Sequence, residues 1–207
     1  MKPKNIPVQK QPVIFLKGKR VRLRPLEMSD LERCTIWVND PDVRKFVTVM
    51  FPLSSMQEQS YIFDSTNPKD RVRLAIETSE GVHIGNIDII GINWIDRTAT
   101  TGTMIGDKKY WSKGYGTEAK MILLEYAFNT LGLRKLHSAA YAYNERSINY
   151  SLKCGYKIIG RKKQERFHDG AYHDVVMLEV FRDDWQVAYD IWITSQKRQA
   201  KVKAPKR

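Results

Sequence analysis

Basic and apolar residues alternate from Lys19 to Leu26, with Val21 and Leu23 set between Arg20, Arg22 and Arg24. This is the two-residue period of a strand with one buried face. Ser29 and Asp30 then cap a helix expected to run to about Val38, with Leu31, Cys34 and Val38 on one face and Asn39, Asp40 and Pro41 ending it. A second helix is expected from Ser54, fading before Asn67 and Pro68. Arg71 to Glu77 reads as a short strand and Val82 to Trp94 as a longer, Ile-rich one, joined through Ile95 to Thr98 to a strand ending near Gly106.

After a glycine-containing loop, Ala119, Ile122, Leu123 and Tyr126 recur at helical spacing from Thr117, and Leu131 with Gly132 supplies a stop. A strand over Arg134 to Ala142 leads to Asn144, which caps a helix running through Cys154, with Ile148 and Leu152 on its inner face and Gly155 closing it. Two last strands, Tyr156 to Arg161 and Ala171 to Val180, are joined by a polar loop, and Trp185 to Ile193 is a short terminal helix. There is no internal repeat and no low-complexity linker.

The chain of 207 residues, 42% hydrophobic, suits one α/β domain with terminal extensions. The division expected is a flexible basic extension over 1–16, a single domain over 17–193 and a basic tail over 194–207. Charge sharpens that division. The net +12 looks like a nucleic-acid signal until it is located: eight Lys and Arg fall in residues 1–26 and six in 197–207, with no acid in either stretch. The remainder holds 21 basic residues against all 23 acidic ones, about −2, so the folded body is not basic. The ends are read as solvated accessories, with RNA, ribosome or lipid contact as the secondary reading.

Cys34 and Cys154 are far apart and lack metal-ligand spacing, as expected of two reduced thiols in a cytoplasmic protein. The early apolar run Val13 to Leu16 is too short for a signal core or a membrane span, so no membrane partner is expected.

The candidate chemistry lies in MIGDKKYWSKGYGTE, residues 104–118, an apolar run that breaks into a glycine loop and opens a helix. Gly114 and Gly116 let the backbone approach an anion, and the unpaired N–H groups and dipole of the helix starting near Thr117 favour negative charge. No G-x-x-x-x-G-K-S/T string occurs, and GYGTEA lacks the third glycine of a dinucleotide fingerprint, which removes the best support for nucleotide hydrolysis and hydride transfer.

Three stretches in the right order resemble the GNAT superfamily of acyl-CoA-dependent N-acetyltransferases. WSKGYGTEA is similar to its Gln/Arg-x-x-Gly-x-Gly/Ala pyrophosphate loop, with Trp111 where Gln or Arg is common. NERSINYSLKCGY is similar to its Asn-headed helix, and HDGAYHDVVMLEV to a strand of the branch that includes RimJ and RimL. The resemblance covers roughly residues 17–185. It implies a GNAT fold: a mixed, mostly antiparallel sheet of six to seven strands, splayed at the acetyl-CoA site and flanked by about four helices.

The resemblance implies acetyl-CoA as cosubstrate, no metal, and a primary amine as acceptor, on a small molecule or a protein N-terminus; a homodimer is compatible with it. The two strands before the loop would splay, leaving the backbone of Met104, Ile105 and Gly106 to pair with pantetheine. Trp111, Ser112, Lys113, Gly114, Tyr115, Gly116 and Thr117 would seat the pyrophosphate, and Asn144 and Ser147 the pantetheine arm.

Direct attack by the neutral amine needs a base, an oxyanion donor and a proton for the thiolate. The donor expected is an N–H around Ile105 or Gly106. Relatives place a Tyr seven residues after the helix Asn; here Ser151 holds that position and Tyr150 precedes it, turned by about 100°. The frequent base Glu is replaced by Thr100, with Thr101 beside it, so the base is open among Asp88, His173, Asp174, Glu165 and Asp169. His83, His137 and His168 read as surface or hydrogen-bonded residues. The acceptor groove implied contains Trp37, Phe46, Phe51, Trp94, Phe167 and Tyr172, and Asp88, Asp169 and Asp174 could hold a cationic amine. Rival readings are a non-catalytic acyl-CoA-binding module, for which Thr100 and Ser151 speak, and a ribosome-associated N-terminal acetyltransferase, for which the basic ends speak.

Overall fold

The computed structural model describes residues 13–63 and 69–203, with the side chains of 199–203 excepted. The predicted fading of the second helix before Asn67 and Pro68, the first twelve residues of the basic extension and the last four of the tail lie outside that range.

Among the described residues, eight strands form one sheet in the order β1-β2-β3-β4-β5-β6-β8-β7. They are β1 (Leu16–Lys17), β2 (Val21–Pro25), β3 (Arg71–Thr78), β4 (His83–Asn93), β5 (Thr98–Ile105), β6 (Lys135–Tyr141), β7 (Lys157–His168) and β8 (Ala171–Phe181). Every neighbouring pair is antiparallel except β5 and β6. The helices are α1 (Leu31–Asn39), α2 (Pro41–Arg44), α3 (Ser55–Phe63), α4 (Tyr115–Glu125), α5 (Glu145–Lys153) and α6 (Arg182–Lys203). This is the α/β architecture expected, with more elements than the six to seven strands and four helices predicted.

The additions have local causes. A hairpin turn at Gly18 folds Leu16 back on Leu23, adding β1, which is too short to show a period. The polar loop expected after Arg161 is mostly strand, because register shifts between Ile158 and Gly160 and between Lys162 and Arg166 carry β7 along β8 to His168. The last helix does not end near Ile193 but continues to Lys203.

Side-chain alternation divides the sheet's neighbours. Leu23, Leu74, Ile76, Ile87 and Ile89 point into a core with Ala119, Met121, Ile122, Leu123 and Leu124 of α4. Trp185 of α6 joins it beside Phe128, at 5.5 Å between ring centroids. On the opposite face Asn86 Nδ2 reaches Cys34 Sγ of α1, and Arg73 bonds Asp88 and the Tyr61 carbonyl of α3.

That second face holds a buried ionic cluster. Arg24 donates to Asp30 (2.7 and 2.9 Å) and to Glu77 (2.7 Å), and all three residues are buried. Burial alone would raise the Asp30 carboxyl, but hydrogen bonds from Arg24, His83 and the Glu27 N–H hold it well below the usual carboxylate range.

Candidate active site

The parallel pair β5 and β6 is bonded only at Thr98–Lys135, Ala99–Leu136 and Thr100–His137. Beyond Thr100 the strands part. Thr101 Oγ1 to the His137 carbonyl (3.3 Å) and Ser138 Oγ to the Thr101 carbonyl (3.4 Å) close the apex of the gap. The splay therefore lies across the loop, between β5 and β6. The two strands before the loop, expected to diverge, pair along their whole length from Gly85–Ile105 to Asn93–Thr98.

The open edge of β5 thus starts at Thr101, and two groups at its far end are already engaged. Trp111 Nε1 donates to the Ile105 carbonyl (2.6 Å), and the Gly106 N–H donates to the Ile84 carbonyl (2.9 Å). The expectation that Ile105 and Gly106 are wholly free is corrected accordingly, and the Gly106 N–H is not an available oxyanion donor. Met104 and the residues back to Thr101 carry the edge that a ligand could extend as a strand. Gly106 has a packing reason instead: a Cβ there would fall 2.0 Å from the buried Trp37 ring.

The loop turns through Ser112 and Gly114, both left-handed (φ 58° and 83°), and Gly114 caps α4. The first helical bond runs from the Glu118 N–H to the Gly114 carbonyl, so the N–H groups of Tyr115, Gly116 and Thr117 precede the helical ladder. They form an anion seat of the kind expected. Gly116 leaves it open, since a Cβ there would meet nothing closer than Ile105 Cγ1 at 3.7 Å.

Arg20, which the sequence reading treated only as a strand residue, pins this loop. Its Nη1 bonds the Lys113 carbonyl (3.0 Å), its Nε the buried Glu118 (3.0 Å), and its guanidinium lies 4.9 Å over the Tyr115 ring. Glu118 also accepts the Arg20 N–H at 2.6 Å. The signal available in sequence was an acid one turn into a helix that opens on an anion loop.

On the other side of the gap, Asn144 caps α5 by accepting the Ser147 N–H (3.2 Å), which occupies its oxygen and leaves its amide N–H groups for a ligand. Arg146 stacks 4.1 Å over Trp111 and 4.8 Å over Phe46, fastening α5 to the loop. Ser151 is buried with its Oγ unbonded, while Tyr150 packs against Lys120 of α4.

The candidate bases separate on geometry. Asp174 is held by Arg161, Lys163 and the Gln164 N–H, Glu165 by Lys162, and Asp169 sits with His168 at the hairpin end. His173 bonds the His168 carbonyl and packs on Tyr143 at 4.8 Å. Asp88 alone of the five lies at the splay: it pairs with Gly102 across β4 and β5, and its Oδ2 faces the space where Gly102 lacks a side chain. Its side chain is one-fifth exposed. Burial raises its carboxyl above the ordinary value against the pull of Arg73. Glu58 of α3 is buried nearby, also pushed up by burial and also under Arg73's charge, with Oε2 unbonded.

Of the aromatics expected in the groove, Phe46 packs at Trp111 and Tyr143, Trp37 belongs to the packed wall, and Phe167 and Tyr172 pair with each other on the β7–β8 hairpin. Trp94 donates to the Lys69 carbonyl. No cluster of His, Cys, Asp and Glu among the described residues has the geometry to hold a metal, and no helix among them is long and apolar enough to cross a membrane.

A parted parallel strand pair beside a glycine loop and a helix N-terminus is the arrangement that the resemblance to acyl-CoA-dependent acetyltransferases implies. Residues 20–157 match the acetyltransferase (GNAT) domain family, and the chain belongs to it as an acetyl-CoA-dependent N-acetyltransferase. It is 27% identical over 165 residues to the spermidine N(1)-acetyltransferase of Escherichia coli K12, covering 80% of this chain and 88% of that one. To the Bacillus subtilis protein described as a putative ribosomal N-acetyltransferase YdaF it is 27% identical over 107 residues, covering 52% and 58%. In fold it is similar to the Vibrio cholerae spermidine N-acetyltransferase solved in complex with CoA and spermine, with TM-score 0.76, 22% identity, and 82% and 99% of the two chains covered.

Proposed function

We propose that this enzyme acetylates a primary amine borne on a cationic aliphatic chain, with polyamines as the acceptor class and Asp88 as the group that takes the ammonium proton. The observation that carries this reading is the position of Asp88 Oδ2 at Gly102, where β5 leaves β6, with Glu58 as a second carboxyl around the same Arg73. A carboxylate with a raised pKa is a better base near neutrality than an ordinary one. Asp88 and Glu58 share the charge of Arg73, and Arg71 and Lys120 also act on Asp88, so the acceptor's chain is drawn here by carboxyls already held among cations.

The spermidine N(1)-acetyltransferase relatives support this acceptor over the ribosomal-protein N-terminus for which the basic ends spoke. The acetyl-CoA seat in this reading comprises the β5 edge up to Met104 and Ile105, the loop from Trp111 to Thr117 with Lys113 at its surface, and Asn144 with Ser147. Free-thiol release from acetyl-CoA, measured over a panel of spermidine, spermine, a neutral primary amine and an N-terminal peptide of a ribosomal protein, tests it. Turnover with polyamines above the others supports it. Preference for the peptide would overturn it in favour of the ribosomal reading, and acetyl-CoA binding without turnover of any amine in favour of a binding module.

A further inference from the structure

Lys120 of α4 is fully buried, and its Nζ makes no hydrogen bond and no ion pair. Its neighbours are the faces of Tyr150 and Tyr156, 5.7 and 5.8 Å away. Burying an ammonium without a partner is costly, and the two ring faces offset only part of that cost. Such a charge is therefore poised for an anion.

Two other buried polar atoms near the same junction lack partners, Thr103 Oγ1 and Ser151 Oγ. Lys120 lies one helical turn beyond Gly116, which abuts Ile105; Thr103 lies two residues back from Ile105 on the same face of β5, and both steps are about 6 Å. Ser151 lies three residues before Cys154, whose Sγ reaches the Thr117 carbonyl, and Thr117 lies three residues before Lys120. Tyr156, beside the ammonium, bonds Thr101 Oγ1 at 2.6 Å, next to the last bonded pair of β5 and β6. Three groups without partners, two hydroxyls and the Lys120 amine, thus lie on the three elements β5, α5 and α4 that flank the parting strands.

The ionisable groups packed around this site supply no resident anion. Cys154 from α5 is a thiol pushed up to about 12 by burial, despite the nearby lysine. Burial also holds the Tyr156 phenol well above its ordinary value, and Tyr150 offers its ring face. Asp88 feels the Lys120 charge across the sheet but spends its bond on Arg73 from the opposite face.

Acetyl transfer creates two anionic centres in turn, the tetrahedral oxyanion and then the CoA thiolate, and only the thiolate needs a proton to leave. We propose that Lys120 is a catalytic residue on the leaving-group side, receiving that thiolate and protonating it, with the Ser151 hydroxyl as a second donor. The C–N bond to the acceptor forms, and the C–S bond breaks with its electron pair on sulfur. The Lys120 ammonium proton passes to sulfur, and the resulting neutral amine is reprotonated by the proton that the attacking nitrogen gives up. Acceptor amine and acetyl-CoA go to amide and CoA thiol. Base and acid then stand on opposite faces of the sheet, Asp88 on one and Lys120 on the other.

The test has two readouts, neither of which depends on which amine is preferred. In the wild-type enzyme, the thiol of bound CoA, followed by ultraviolet thiolate absorbance against pH, should titrate at least about tenfold more readily than free CoA. With whichever amine turns over best, Lys120→Met should lower kcat about a hundredfold and leave KM for acetyl-CoA little changed. Titration of bound thiol at or above the free value would overturn the assignment without need of any variant, as would wild-type turnover by folded Lys120→Met.

Discussion

At the scale of single residues, burial sets the behaviour of two charged groups on the same face of the sheet, Asp88 and Arg24. In its proposed role Asp88 takes a proton only when ionised, and its carboxyl is raised, so kcat/KM should fall as the pH drops through that raised value. Asp88→Asn should lower kcat about a hundredfold and remove that acid limb; a steady-state pH profile reads both. Arg24 is structural by contrast. Arg24→Leu leaves Asp30 and Glu77 buried without their partner and should cost about 3–5 kcal/mol in urea unfolding at neutral pH. The sign with pH follows from the lowered Asp30 pKa: its stabilisation is present above the ordinary unfolded carboxylate value, about 3.9, and is lost as pH falls through the folded value. The gap between wild type and Arg24→Leu should therefore narrow on acidification. Neither residue announced its partner in the sequence. Asp88 stood among five candidate bases, and only the pairing of β4 with β5 set it opposite a glycine.

Elements translate those residues into a site. The helix α4 was legible from its apolar spacing, and its glycine entry from composition, because both depend on near neighbours in the chain. What the entry does was less legible. Two of its glycines differ: Gly106 is required by the Trp37 ring, whereas Gly116 has room for a Cβ. Gly106→Ala should cost about 1–3 kcal/mol by overpacking. Gly116→Ala should keep the melting temperature near that of the wild type and weaken acetyl-CoA binding, because the added methyl crowds the N–H groups of the first turn. Calorimetric titration of both variants separates packing from ligand contact; equal affinity in Gly116→Ala would count against this seat. The β7–β8 hairpin is the converse case. Residues 162–170 read as loop because they are polar, yet β8 holds 162–168 as strand and only Asp169 and Gly170 turn, since an exposed hairpin needs backbone partners rather than apolar side chains.

For the molecule as a whole, the sheet among the described residues parts between β5 and β6, and that opening is the proposed seat of the cosubstrate. Acetyl-CoA at about a hundredfold excess over its Kd should stabilise the folded state by about 2.7 kcal/mol, or roughly 5–11 °C in melting temperature for a domain of this size. Absence of a shift would reject the acetyl-CoA seat. The charge distribution sets a second whole-molecule expectation. Because residues 27–196 carry about −2 and the ends carry the excess, any association with RNA or ribosomes should weaken when residues 197–207 are removed, and weaken further with salt.

The sequence by itself determined what is local: which segments are helix and which strand, where a glycine loop opens a helix, that the folded body is not basic, and a family resemblance spread over three motifs. Tertiary structure decided what depends on residues distant in the chain. It set the splay between β5 and β6 instead of before the loop, since strand divergence is a property of pairing and leaves no periodic trace. It brought Arg20 to Glu118 and Lys113, Asp88 to Gly102, and Lys120 beneath the opening, because burial and the charges that share it are fixed only when separate elements pack together.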